Sequence, residues 1–130
     1  CVGGGDEAYL SRIFAEQEVK DFLTNSQDEK VYMGISAGSI VAGIFLPKGL
    51  NTELYGEGCE ADYGVGMCFY DFIFIPHLNS PYFPGVTAKI LETKVDRFKS
   101  KFIAVDDCTA VCISDDVITF IGDGEKMQYP

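Results

Sequence analysis

Histidine is nearly absent: His77 is the only one in 130 residues. Cysteine is sparse as well, at positions 1, 59, 68, 108 and 112. An odd number at uneven spacing makes a poor disulfide framework. A zinc site wants close cysteine pairs or several histidines, so none is expected. The cysteines are expected to be reduced and mostly buried, which points to the cytoplasm. Basic residues are also few, with 10 Lys and Arg against 20 Asp and Glu and a formal net charge of −10. A field of that sign repels phosphate backbones and anionic bilayers, which argues against nucleic-acid and membrane partners. Apolar runs are short. The longest, residues 68–76, is broken by Asp71, whereas a membrane span needs ~18–20 residues. With no Gly-Lys-Ser/Thr, a phosphate loop is not supported.

What is present suits one globular domain over residues 1–130. Hydrophobic residues make up 47% and charged residues 23%, which excludes disorder for the bulk of the chain. No signal peptide is visible, and the chain opens on Cys1 rather than Met. A glycine turn, Gly3-Gly4-Gly5, leads to a helix over residues 7–15 that Asp6 can cap. A second helix over 16–23 carries Val19, Phe22 and Leu23 on one face. A β-rich run at 30–35 precedes an apolar helix over 38–46. Residues 51–65 read as an irregular loop. Residues 67–75 read as a central strand apolar on both faces, partnered by the runs at Val31 and Phe102. A helix over 86–99 points Ile90, Leu91, Val95 and Phe98 inward. Strands at 102–105, 110–113 and 117–121 follow, and 126–129 can pair behind them. Alternating strands and helices argue for a parallel α/β sheet, with an antiparallel tail.

Gly34-Ile35-Ser36-Ala37-Gly38 fits Gly-x-Ser-x-Gly between a β-rich run and an apolar helix, the setting of a nucleophile elbow. Ser36 would project at the carboxyl end of its strand, with the Ala37 N–H as an oxyanion donor. The Gly3-Gly4-Gly5 turn can supply a second. A serine hydroxyl needs a base, and His77 follows the strand ending at Ile75. The base needs a carboxylate. Asp106 and Asp107 end another strand, while Glu53, Glu57, Glu60 and Asp62 compete from the loop after the elbow helix. A loop acid gives the chain order of the α/β-hydrolases; Asp107 gives serine, histidine, acid. The pattern alone leaves both open.

Four segments together resemble the dipeptidase E (aspartyl dipeptidase) family of serine peptidases, relatives of cyanophycinase. They are Val2-Gly3-Gly4-Gly5-Asp6-Glu7-Ala8-Tyr9-Leu10, Gly34-Ile35-Ser36-Ala37-Gly38-Ser39-Ile40, Ile75-Pro76-His77-Leu78 and Ala104-Val105-Asp106-Asp107, in the family's order and near its spacing. The resemblance implies a three-layer, flavodoxin-like or class I glutaminase-like α/β sheet. It implies Ser36 as nucleophile, His77 as general base and Asp107 as the acid, and such a serine–histidine–acid mechanism implies no metal or organic cofactor. It also implies an oxyanion hole from Gly5 and Ala37, with Gly4 and Asp6 bordering a small peptide substrate. Residues 78–88 hold no Arg or Lys, so a preference for aspartate is not implied. The family carries further α/β structure before the glycine turn. The chain is therefore expected to lack N-terminal strands, and a second copy or another chain is expected across the open sheet edge. The rival expectation is a truncated homologue without activity that completes another subunit.

Overall fold

The computed structural model describes residues 1–25, 30–47, 49–56 and 66–130. The fold is α/β. Helix α1 spans Glu7–Ala15 and α2 spans Gln17–Thr24; α3 is Ala37–Ala42 and α4 is Leu50–Tyr55. Strand β1 (Ile73–Ile75) leads through α5 (Ala88–Glu92) and α6 (Val95–Phe98) to β2 (Phe102–Val105). Strands β3 (Ala110–Ser114), β4 (Val117–Ile121) and β5 (Lys126–Tyr129) follow.

Strands β1 and β2 run parallel, with Ile73 opposite Phe102 and Ile75 opposite Ala104. Parallel strands need a crossover, which α5 and α6 provide. Strand β5 returns antiparallel on the other side of β2, so the expected pairing of residues 126–129 is present. Because side chains alternate across a strand, the sheet has two apolar faces. Ile73, Ile75, Phe102 and Ala104 pack with Leu50, Leu54, Leu91 and Phe98 from the helices. Phe72, Phe74, Ile103 and Val105 form the other face, against Val111 and Phe120 of the β3–β4 hairpin. That hairpin turns on Asp115 and Asp116, with φ of 49° and 63°. Two left-handed residues make the type I′ geometry that matches strand twist.

Several elements depart from the sequence reading. The strand expected over 67–75 is only Ile73–Ile75. Upstream, the Met67 and Phe69 N–H groups donate to the Val41 and Ala42 carbonyls at the end of α3, and the Ile44 N–H donates to the Phe72 carbonyl. The backbone of this stretch thus bonds to a helix end rather than to a longer ladder, and Cys68 and Phe69 are left exposed. The run near Val31 does not partner β1; Gly34 makes an isolated parallel bridge with Val2 instead. The helix expected to reach residue 46 stops at Gly43, where a Cβ would overlap the Tyr70 ring and the Phe72 carbonyl. The helix expected over 86–99 is two. The Thr93 hydroxyl donates to the Ile90 carbonyl at 2.7 Å, and the Thr93 and Lys94 N–H groups bond three residues back. Such local bonds compete with the α-helical ladder. Part of the expected loop, Leu50–Tyr55, is helical between two left-handed glycines, Gly49 and Gly56; residues 57–65 lie outside the described residues. Helix α1 matches its expected range and buries Glu7, Ala8, Ser11 and Phe14. The apolar face of α2 forms but buries nothing, and Phe22 is 67% exposed.

Candidate active site

The site begins with the close approach of two chain segments. The Val2 N–H donates to Met33, the Ile35 N–H donates to Val2, and the Gly38 N–H donates to Gly3. A Cβ on Gly34 would lie 2.7 Å from the Gly38 backbone, and one on Gly38 would overlap the Val2 carbonyl. Both flanking glycines of the motif are therefore required sterically. Between them Ser36 adopts φ 54° and ψ −119°. A non-glycine residue in this region costs of order 1–3 kcal/mol and persists only where its surroundings over-determine it. Here α3 starts directly after it, with the Ile40 N–H bonded to the Ser36 carbonyl at 3.1 Å. The hydroxyls of the half-buried Tyr32 and Tyr70 brace that first turn, each donating at 2.6 Å, to the Gly38 and Ser39 carbonyls. Burial pushes the Tyr32 phenol up to about 12 and raises that of Tyr70.

The ends of β1 and β2 supply the other two groups. Parallel strands in register finish side by side, so the residues after Ile75 and after Val105 emerge on one rim. The Leu78 N–H donates to the Val105 carbonyl at 2.9 Å and ties the two exits together. His77 Nε2 lies 2.8 Å from Ser36 Oγ, and His77 Nδ1 lies 2.5 Å from Asp107 Oδ1. The imidazole is mostly covered, with its side chain 20% exposed, while that of Asp107 is 51% exposed.

The rival acids are placed elsewhere. Asp106 turns back into its own loop, where its carboxylate accepts hydrogen bonds from the Glu125 N–H, the Thr109 hydroxyl and the Cys108 N–H. Those donors hold it below the usual carboxylate range. Glu53 is bound by Arg97 at 2.7 Å and by Lys94 at 2.5 Å, and these hydrogen bonds lower its pKa to about 2. Glu57, Glu60 and Asp62 lie outside the described residues.

Gly5 has φ 137°. Among the described residues, neither its N–H nor that of Ala37 is spent in a backbone bond. Both residues line a small pocket with Ser36, Glu7, Ile40, Tyr55 and Phe83. Gly4 passes behind the serine: a Cβ there would be 3.3 Å from Ser36 Cβ. The Asp6 carboxylate caps α1, accepting from the Tyr9 N–H at 2.8 Å. A wider apolar groove opens at the start of β2, the opposite end of that strand from Asp107, between Phe72, Ile118 and Tyr129.

A sequence profile of Peptidase family S51 matches residues 1–121. The chain belongs to this family. No curated protein matches it. Membership supports a peptidase-type function of the serine class. Among the described residues of this S51 chain, no cluster of His, Cys, Asp or Glu could hold a metal ion, and no helix is long and apolar enough to cross a membrane.

Three pocket residues of this S51 chain escaped the sequence reading. Glu7 sits in the first turn of α1, where a carboxylate ordinarily serves the helix dipole from solvent. Here it is 5% exposed and accepts a hydrogen bond from the Asn51 amide. Phe83 stacks on His77, and Tyr55 meets Phe83 edge-on. No sequence signal marks these two, because the path of the loop and of α4 decides where they land. The expectation of buried cysteines is corrected: Cys1, Cys68, Cys108 and Cys112 are free but exposed. Cys108 lies in the turn after β2, and Cys112 on the outer hairpin. Cys59 lies outside the described residues.

Proposed function

We propose that the chain is a serine peptidase of the dipeptidase E type, hydrolysing short peptides through an acyl-enzyme. The observation that carries this reading is the unbroken Ser36–His77–Asp107 hydrogen-bond line. Ser36 Oγ attacks the peptide carbonyl as His77 Nε2 takes its proton. Asp107 accepts from Nδ1–H, which fixes the tautomer and stabilises the imidazolium. The carbonyl electron pair moves onto oxygen, where the Ala37 and Gly5 N–H groups bind it. The tetrahedral species collapses, the C–N bond breaks, and His77 returns the proton to the leaving amine. Water, deprotonated by the same imidazole, then releases the acid and restores Ser36. Gly4 and Asp6 border the substrate, and Tyr55, Phe83 and Ile40 wall it. No metal or cofactor enters this sequence, and a reducing compartment such as the cytoplasm suits the exposed thiols.

The test is turnover of a dipeptide series alongside matched esters. Dipeptide cleavage that disappears in Ser36→Ala supports the reading. Ester cleavage alone makes the chain an esterase, and peptide cleavage that survives Ser36→Ala removes the mechanism.

A second reading keeps the family but not the activity, with the chain completing another subunit. What favours it is the exposure of Val31, Met33 and Ile35, at 91%, 58% and 55%, beside a bridge of two residues. Alternate residues of an extended segment share one face, and an apolar face left open in this way calls for a covering partner. Light scattering after size exclusion tests it: self-association supports the covered face, and a monomer with full turnover contradicts it.

A further inference from the structure

The Asp107 side chain is half exposed, and His77 is its only hydrogen-bond partner among the described residues. An exposed ion pair gains little by itself, because water and side-chain entropy compete with it. Catalysis nevertheless needs this carboxylate fixed to within a fraction of an ångström. Its neighbours supply that fixity.

We propose that Asn79, Glu125 and Asp106 form a clamp that locks the acid-bearing turn against the histidine-bearing turn, and are positioning residues for the His77–Asp107 pair. The inference rests on the reading of Ser36, His77 and Asp107 as the reacting residues.

The clamp can be followed atom by atom. Asp106 Oδ1 accepts from the Cys108 N–H at 3.1 Å and from the Thr109 hydroxyl at 2.8 Å, closing the turn that carries Asp107. Asp106 Oδ2 accepts from the Glu125 N–H at 2.8 Å, and the Asp106 N–H donates to the Glu125 carbonyl at 3.0 Å. The turn is thereby bound to the start of β5. A Cβ at Gly124 would overlap the Asp106 carboxylate, so the closeness of these two loops depends on that glycine. The Glu125 carboxylate then accepts from the Asn79 side-chain amide. Asn79 lies two residues after His77 and is itself fixed. Its φ is 58°, its N–H donates to the Val86 carbonyl at 2.7 Å, and its Oδ1 accepts from the Ala88 N–H at 3.2 Å. The result is a closed ring. On one side His77 meets Asp107; on the other Asn79, Glu125 and Asp106 hold the two backbones at the separation that contact requires. Three of the ring's bonds involve a carboxylate, the stronger kind of hydrogen bond.

The experiment compares Glu125→Ala, Asn79→Ala, Asp106→Ala and the conservative Glu125→Gln in the full chain, each first shown to melt cooperatively. Two quantities are read: kcat and KM on a cleaved peptide, and the downfield proton resonance of the His77 Nδ1–H, unambiguous because the chain has one histidine. Glu125→Ala and Asn79→Ala are expected to lower kcat by ~10–100-fold with little change in KM, the cost of misplacing a reacting group by about an ångström. The downfield resonance should broaden or move upfield. Glu125→Gln, which still offers an oxygen to Asn79, should retain most of both signals. Should Asp106→Ala fail to fold, Glu125→Ala and Asn79→Ala carry the test. Folded Glu125→Ala and Asn79→Ala with kcat within twofold of the parent and an unchanged resonance would overturn the clamp. A parent with no turnover would instead count against the catalytic reading. The resonance still tests the clamp in that case, because it needs only His77 and Asp107.

Discussion

The ring of Phe83 lies on the imidazole of His77, with centroids 4.4 Å apart and planes 22° from parallel. The stack limits rotation of the imidazole about its terminal torsion, which is otherwise broad and soft. His77 Nε2 therefore stays on Ser36 while Nδ1 stays on Asp107. Tyr55 holds Phe83 from the side, ring centroids 5.6 Å apart, and donates its hydroxyl to the Pro76 carbonyl at 3.2 Å. Truncation to Phe83→Ala is expected to lower kcat by ~3–10-fold through lost orientation, of the order of one aromatic contact. Phe83→Leu should fall between the two. Steady-state kinetics check it; an unchanged kcat for Phe83→Ala would remove the stack from the mechanism.

Asp107 and the rival acid Glu53 should behave differently towards chemistry. Asp107→Asn is expected to cut kcat by ~10²–10⁴-fold with the melting temperature nearly kept, because the amide leaves the imidazolium without a counter-charge and can favour the wrong tautomer. Glu53→Gln should leave kcat unchanged, since Glu53 serves Lys94 and Arg97. Equal kcat losses in both variants would return the acid's role to α4.

How much of this was legible follows from what each signal encodes. The elbow was readable because Gly34 and Gly38 are sterically required and lie within five residues of contiguous sequence. His77 and the Asp106–Asp107 pair were readable as strand-end residues. The choice between those two acids was not, because successive residues leaving a strand point to opposite sides. The resemblance to a known family, not the pattern, selected Asp107. Glu7, Tyr55 and Phe83 reach the pocket through the path of loops, which has no periodicity to read. The length of β1 is overestimated from sequence because apolar content does not show which backbone a run bonds to: the Met67 and Phe69 N–H groups go to the end of α3, and Phe69 is exposed. Cysteine burial was inferred from residue averages that cannot know Cys108 sits on a turn.

Acid titration gives a signed test of the α4–α6 tie. Arg97 and Lys94 depress the Glu53 pKa from 4.5 to about 2. A depressed carboxylate stabilises the fold fully above its unfolded value and loses that contribution as pH falls through its folded value. Stability should therefore drop between about pH 4.5 and about pH 2 more steeply in the parent than in Glu53→Gln, and less so at high salt because the pair is exposed. Thermal melts across that range compare them; identical slopes would show that the pair contributes nothing.

The β3–β4 turn offers a local stability test. Asp116 holds φ 63°, a region that glycine enters without steric cost. Asp116→Gly is expected to raise stability by about 0.5 kcal/mol, moving the turn to the favoured Asp-Gly pair. A denaturant midpoint that falls would contradict the type I′ assignment.

Covalent trapping of the nucleophile tests the central claim most directly. A fluorophosphonate reacts readily with a serine that a base has activated: the serine oxygen bonds to phosphorus and fluoride leaves. The full chain is incubated with the probe, and intact and peptide masses are measured beside Ser36→Ala and His77→Ala. The expected result is a single adduct on the peptide carrying Ser36, absent from Ser36→Ala and strongly slowed in His77→Ala. No adduct on a folded chain, or an adduct that persists in Ser36→Ala, would contradict the account.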